Sequence, residues 1–221
     1  MSKYVISDIH GMYDEFIKML EVINFSDEDE LFILGDIFDR GPNPLNILDY
    51  IVSHDNIHFI KGNHEDMFIE AVDYKDYSIW HRNGGNTTHA QIIERGEEYE
   101  KMLYDYIKAL PFYMVVDNYI LVHAGVFFPE NYQNMTLDEF MYWQDEENSL
   151  WSRANIHSEK VFKDYKIICG HTIVQSITNN IEDVQIVKTP GHIYIDCGCC
   201  FDSINGKLAC LRLDDMKEFY V

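Results

Sequence analysis

The sequence predicts an α/β fold built from two packed, mixed β-sheets flanked by helices. Three observations carry that expectation. Through residues 4–72, apolar runs of strand length alternate with stretches whose apolar residues recur at helical spacing, the pattern of parallel strands joined by right-handed crossovers. A second group of apolar runs lies between Tyr113 and Leu213. Finally, five short cassettes each come directly after an apolar run: Ser7-Asp8-Ile9-His10-Gly11, Gly35-Asp36-Ile37-Phe38-Asp39-Arg40-Gly41, Gly62-Asn63-His64-Glu65, His123-Ala124-Gly125 and Gly170-His171-Thr172. Loops at the carboxyl ends of strands in such sheets converge on one crevice. No linker, repeat or low-complexity tract divides the chain, so residues 1–221 are read as one domain, long enough to bury a substantial core.

In chain order, Tyr4-Val5-Ile6 reads as a buried strand, and the helix after it carries Phe16, Met19, Leu20 and Ile23 on one stripe. Leu31-Phe32-Ile33-Leu34 is the second strand. Gly41-Pro42-Asn43-Pro44 breaks the chain before a helix expected to turn Leu45, Leu48, Ile51 and Val52 inward. Ile57-His58-Phe59-Ile60 is the third strand, and the helix after it bears Met67, Phe68, Ala71 and Val72. Beyond Asp73 the pattern changes. Trp80–Gly85 reads as a loop, and the helix after it carries Tyr99, Met102, Leu103, Tyr106, Ile107 and Leu110 until Pro111 ends it. Further strands are expected over Tyr113–Val116, Tyr119–Val122, Ile167–Cys169, Ile193–Ile195 and Lys207–Leu213. The stretch from Phe127 to Tyr165 reads as a mainly helical or irregular insertion. Its Tyr142-Trp143 and Asp145-Glu146-Glu147 are expected to pack and solvate it rather than to roof a cleft.

The net charge of -21 argues against a nucleic-acid polymer as partner, because such backbones are bound through many Lys and Arg contacts. A phosphate ligand must therefore be captured by a local positive site inside a repulsive field. No run approaches the roughly 18 apolar residues of a membrane span, so no membrane partner is expected. Met1-Ser2-Lys3 shows no signal-peptide layout, which makes a cytoplasmic location the expectation. Five cysteines, an odd number, lie at 169, 197, 199, 200 and 210 and read as reduced packing thiols.

The cassettes supply a coherent ligand set. Asp8, His10 and Asp36 can hold one divalent metal, and Asp36, Asn63, His123 and His171 a second, with Asp36 bridging. Mixed carboxylate, imidazole and carbonyl donors suit manganese, iron or zinc better than magnesium. Asn63 and neutral imidazoles bind metal without cancelling its charge. Two dications held by two carboxylates leave the pocket positive, Arg40 and Arg153 add to it, and a dianionic phosphate is the natural ligand. His54, His58, His81, His89, His157 and His192 have no motif around them and read as structural or exposed.

The ordered cassettes resemble the calcineurin-like metallophosphoesterase superfamily over roughly residues 3–213. Gly-Asp-x-x-Asp-Arg-Gly, with Gly-Asn-His-Glu after it, is similar to the phosphoprotein phosphatase branch. Trp80-x-x-Asn83-Gly84-Gly85, Leu110-Pro111, Trp151-Ser152-Arg153 and Ile195-Asp196-Cys197-Gly198 resemble its short bacterial and phage members. The resemblance implies a four-layer sandwich and metal ligands at Asp8, His10, Asp36, Asn63, His123 and His171. It implies that His64 protonates the leaving oxygen with Asp39 orienting it. It further implies that Arg40 and Arg153, with Asn63 and His64, bind the phosphate, and that a metal-bridging hydroxide attacks phosphorus in line. Ser7 stands where many relatives have glycine.

The expected activity is that of a phosphoester hydrolase requiring two divalent metals, manganese first, with iron or zinc as alternatives. Retention of Asp39 leans the expectation toward a Ser/Thr protein phosphatase acting on a phosphorylated protein or a small phosphoester. Hydrolysis of a dinucleoside tetraphosphate or another small nucleotide is the alternative.

Overall fold

Strands and helices track the apolar runs in a computed structural model that describes residues 1–221. The first half comprises β1 (Lys3–Ile6), α1 (Tyr13–Ile23), β2 (Glu30–Ile33), α2 (Pro44–Val52), β3 (Ile57–Phe59), α3 (Asn63–Tyr74), α4 (Ser78–Arg82), α5 (Asn86–Arg95) and α6 (Glu97–Lys108). The second half adds β4 (Tyr113–Val116), β5 (Tyr119–Val122), α7 (Leu137–Tyr142), α8 (Glu146–Trp151), β6 (Lys166–Cys169), α9 (Val174–Thr178), β7 (Val187–Lys188), β8 (His192–Tyr194), β9 (Ala209–Arg212) and β10 (Glu218–Tyr220). Pro44 opens α2, where a missing N–H costs nothing. Thr136 and Glu139 cap α7 reciprocally, each side chain accepting from the other's backbone N–H. No helix is long and apolar enough to cross a membrane.

The strands form two five-stranded sheets, ordered β10-β9-β1-β2-β3 and β4-β5-β6-β8-β7. β1, β2 and β3 run parallel, as do β5, β6 and β8, while the outer strands pair antiparallel. Both sheets are therefore mixed, as expected. Alternation along β1 and β2 explains the layering. Tyr4, Ile6, Leu31 and Ile33 pack with Phe16, Leu45, Phe68 and Ile107 from the helices. Val5 and Phe32 point the other way, joining Ile120, Val122, Ile168 and Leu211 between the sheets.

Several local expectations are corrected. Trp80 is not in a loop: it lies in α4 and is buried against Phe68. The single helix expected before Pro111 is two, broken at Gly96, whose φ of 90° only glycine adopts readily. Val52 points outward and is 56% exposed, because Leu45, Ile47, Leu48 and Ile51 already fill the inner face of α2. The strand expected over Lys207–Leu213 is the shorter β9, and the two- and three-residue strands β7 and β10 carried no periodic signal.

Candidate active site

The carboxyl ends of β1, β2, β3, β5 and β6 all deliver cassette residues to one end of the sandwich, and backbone bonds between those loops set their spacing. His10 N–H donates to Asp36 O at 2.9 Å, Gly11 N–H to Ile37 O at 2.8 Å, and Gly170 N–H to His123 O at 2.8 Å. His123 crosses between sheets, its Nδ1–H donating to Leu34 O at 2.7 Å. Asp8, His10, Asp36, Asp39, Arg40 and His171 all adopt φ between 48° and 71°, a left-handed conformation that costs roughly 1–2 kcal/mol per residue. Six such residues in one place need outside support. Glu65 provides part of it: its fully buried carboxylate accepts the N–H groups of Asp36, Ile37, Phe38 and Gly62 at 2.8–3.3 Å. Burial pushes that carboxyl up to about 7, against the pull of the backbone donors. Glu65 belongs to the third cassette, yet nothing in the sequence assigns it this bracing role.

Asp36 is the corner shared by two close groups of potential ligand atoms, His10-Asp36-His64 and Asp36-His123-His171. Its Oδ2 lies 3.7 Å from His10 Nε2 and 3.5 Å from His123 Nε2. Asn63 Oδ1 lies 2.8 Å from both His123 Nε2 and His171 Nδ1. Asp8 lines the same cavity, but its carboxylate is taken up by the His171 backbone N–H at 3.0 Å, and it stands outside both close groups.

This donor set fits divalent cations. Because His123 engages Nδ1–H at Leu34, its Nε2 turns a lone pair toward the Asn63 side-chain oxygen, and a cation lying against both would draw these two acceptors together. His10 is fixed in the same way: Nδ1–H donates to Phe38 O at 2.8 Å, which makes Nε2 the lone-pair nitrogen, here engaged by Arg40, that a metal would take. Burial, then repulsion from Asp8 and Glu65, drives the Asp36 carboxyl well above the usual range. Neutral imidazoles come from burial too, which lowers His10, His123 and His171.

His64 sits at the edge of this cluster with a defined tautomer. Its Nδ1 lies 2.6 Å from Asp39 Oδ2, and its Nε2 accepts from Arg40 at 3.0 Å. Burial and Arg40 hold the His64 ring well below its ordinary value, so the ring is neutral here and the proton sits on Nδ1. Asp39 is pinned by Trp80 Nε1–H at 2.7 Å and Thr88 Oγ1–H at 2.6 Å, while the Thr88 hydroxyl also accepts from Asp39 N–H. Burial pushes the Asp39 carboxyl up to about 7 despite those donors. Arg40 also donates to His10 Nε2 at 2.5 Å.

A cavity of about 240 Å³ encloses Asp8, His10, Asp36, Asn63, His64 and His171, and Arg40, Asn83, Trp151 and Arg153 complete its wall. Every site residue expected from the sequence is thus brought to one place, with Asp39 and His123 set just behind the cavity wall. Arg153 is exposed. Thr88 is a supporting residue that the sequence did not reveal, and Trp80 and Glu65 stand in quoted motifs that assigned them no role. None of the six histidines without motifs lines the cavity. His54 stacks on Tyr50, His58 on Phe32, and His81 bonds to His89 at 2.9 Å. All five cysteines are free, and Cys200 Sγ lies 3.9 Å from Arg40.

A family model described as calcineurin-like phosphoesterase matches residues 1–195. Among curated proteins, a symmetrical bis(5'-nucleosyl)-tetraphosphatase of Neisseria meningitidis is 34% identical over 131 residues, 57% of this chain and 44% of that protein. The protein of that name from Buchnera aphidicola is 46% identical over 67 residues, 29% of this chain and 24% of its own length. The chain therefore matches less than half the length of these relatives. Among solved structures, one provisionally assigned as a diadenosine tetraphosphatase superposes with a TM-score of 0.66 at 17% identity, covering 100% of this chain and 92% of its own. A Saccharomyces cerevisiae protein serine/threonine phosphatase gives a TM-score of 0.66 at 15% identity, covering 100% and 79%. At those identities the likeness concerns the fold. On its residue 1–195 match, this chain belongs to the calcineurin-like phosphoesterase family.

Proposed function

We propose that this chain is a phosphoester hydrolase dependent on two divalent metals, with dinucleoside polyphosphates as its preferred substrates. The observation that carries the chemistry is Asp36 at the shared corner of two ligand groups, in a cavity walled by two arginines. Asp8, His10, Asp36, Asn63, His123 and His171 would hold the metals, manganese first, with iron or zinc as alternatives. Bound there, the cations would supply Lewis-acid activation of water and of the phosphoryl group.

The chain's own residues do the rest. Arg40 and Arg153 grip the non-bridging phosphate oxygens and stabilise the charge that builds on them. A phosphate beside Arg40 draws the guanidinium away from His64 Nε2 and favours a proton on that nitrogen. His64 then delivers the proton to the leaving oxygen while Asp39 holds Nδ1–H. Trp80 and Thr88 keep Asp39 in place.

The substrate class is supported by the similarity to symmetrical bis(5'-nucleosyl)-tetraphosphatases over 131 residues. The sequence-based lean toward a Ser/Thr protein phosphatase gives way to it. The intact Asp39–His64 pair keeps phosphoprotein hydrolysis as the second reading. Removal of metal by a chelator should abolish hydrolysis of para-nitrophenyl phosphate, and about two equivalents of manganese per chain should restore it. Turnover that survives complete metal removal, or restoration by no divalent metal, contradicts the proposal.

A further inference from the structure

We propose that the groove adjoining this cavity seats the nucleoside portion of the substrate, with Phe201 as the surface for the base. The inference rests on the proposed function for the position of the phosphate. The groove measures about 440 Å³, within the roughly 300–1,000 Å³ of small-ligand sites. It shares Arg40, Arg153 and His171 with the metal-ligand cavity, so a molecule whose phosphate lies between the arginines continues directly into it.

Past the shared residues the wall changes character. Ile173, Ile177 and Phe201 make it apolar, and Thr172 and Ser176 add hydroxyls. Phe201 is half-buried, and the Arg40 guanidinium carbon lies 5.2 Å from its ring centroid. Ring and guanidinium together present π-surface on which any base can stack. No lysine and no further arginine lines the groove. The two guanidiniums at the shared end match one or two phosphates, and no positive charge beyond them would hold another. An uncharged nucleoside fits that pattern; an extended polyanion does not. Asp196 lies in the same wall, only 4% exposed. Its Oδ1 accepts Gly198 N–H at 2.8 Å, which leaves Oδ2 to accept from a ribose hydroxyl.

Calorimetric titration of the manganese-loaded full chain with inorganic phosphate, ribose 5-phosphate and AMP tests this. AMP should bind at least tenfold tighter than either of the others. Phe201→Ala should erase that advantage. Ser176→Trp, which fills the groove from an exposed position, should do the same, so the test survives a Phe201 variant that folds poorly. Equal affinity for AMP and phosphate, no binding of AMP, or an AMP advantage that survives both substitutions overturns the proposal. Because the readout is binding, a chain that holds AMP tightly yet hydrolyses phosphopeptide faster sinks the substrate reading and leaves the groove assignment standing.

Discussion

Asp39 Oδ2 and His64 Nδ1 lie 2.6 Å apart, with side chains 0% and 2% exposed. Such a pair fixes the ring without exposing it to competing water. Asp39→Asn and His64→Gln should therefore act on the leaving-group step. General acid catalysis contributes about 10²–10⁴-fold, and we expect losses in that range for a phosphoserine peptide, whose alkoxide needs a proton. Para-nitrophenolate leaves without one, so its hydrolysis should fall about tenfold or less on the same argument. Elemental analysis should still find two metals per chain. Loss of metal in His64→Gln would instead make His64 a ligand, as its membership of one close ligand group allows.

Gly170 offers a sharper test of metal placement. A Cβ there would stand 2.0 Å from Asp8 Oδ2 and 2.4 Å from Ser7 Oγ. Gly170→Ala must push Asp8 off its position, and metal content should drop from two to one per chain while the fold persists by circular dichroism. Retention of two metals would remove Asp8 from the ligand set.

Lys61 is 4% exposed and reaches Glu146 at 2.7 Å, and Trp151 Nε1–H donates to Asp66 at 3.1 Å. Those two contacts tie α8, inside the Phe127–Tyr165 insertion and just ahead of Arg153, to the segment that carries Asn63 and His64. Glu146→Gln leaves a buried ammonium with a weaker partner, a loss of about 1–3 kcal/mol. The melting temperature should fall by several degrees, and KM for phosphate substrates should rise more than kcat falls. An unchanged KM would separate the clamp from phosphate binding.

His192 makes an acid-stability prediction. It is fully buried, and neither ring nitrogen has a hydrogen-bond partner. Burial, with Lys166 nearby, lowers it to about 4. Between that value and about 6.5 the unfolded chain binds a proton that the folded chain refuses, so stability falls as pH drops through that window, by up to about 1.4 kcal/mol per unit. His192→Phe keeps the stacking on Tyr194 and removes the proton site. Denaturant titrations from pH 7 to 5 should show a smaller loss for His192→Phe than for the parent. An identical pH slope would contradict the assignment.

The cassettes were legible because strand-end loops in parallel sheets must converge, and Asp8, Asp36, Asn63, His123 and His171 announce themselves by type. What supports them was not. Trp80 and Thr88 lie 41 and 49 residues beyond Asp39; Trp80 stands in a quoted motif and Thr88 in none, and no local pattern aims either side chain at Asp39. Glu65 acts through backbone N–H groups, which a sequence does not display. The groove around Phe201 draws on Thr172–Ile177 and Asp196–Phe201, segments distant in sequence that the parallel pairing of β6 and β8 brings together. Val52 failed for a simpler reason: it sits at the last turn of α2, where an apolar residue can extend the stripe or leave it.

The most direct measurement compares kcat/KM of the manganese-loaded chain for diadenosine tetraphosphate and for a phosphoserine peptide under identical conditions. Diadenosine tetraphosphate should be preferred by at least tenfold. A preference of that size for the phosphopeptide, or no turnover of either, contradicts the proposed function.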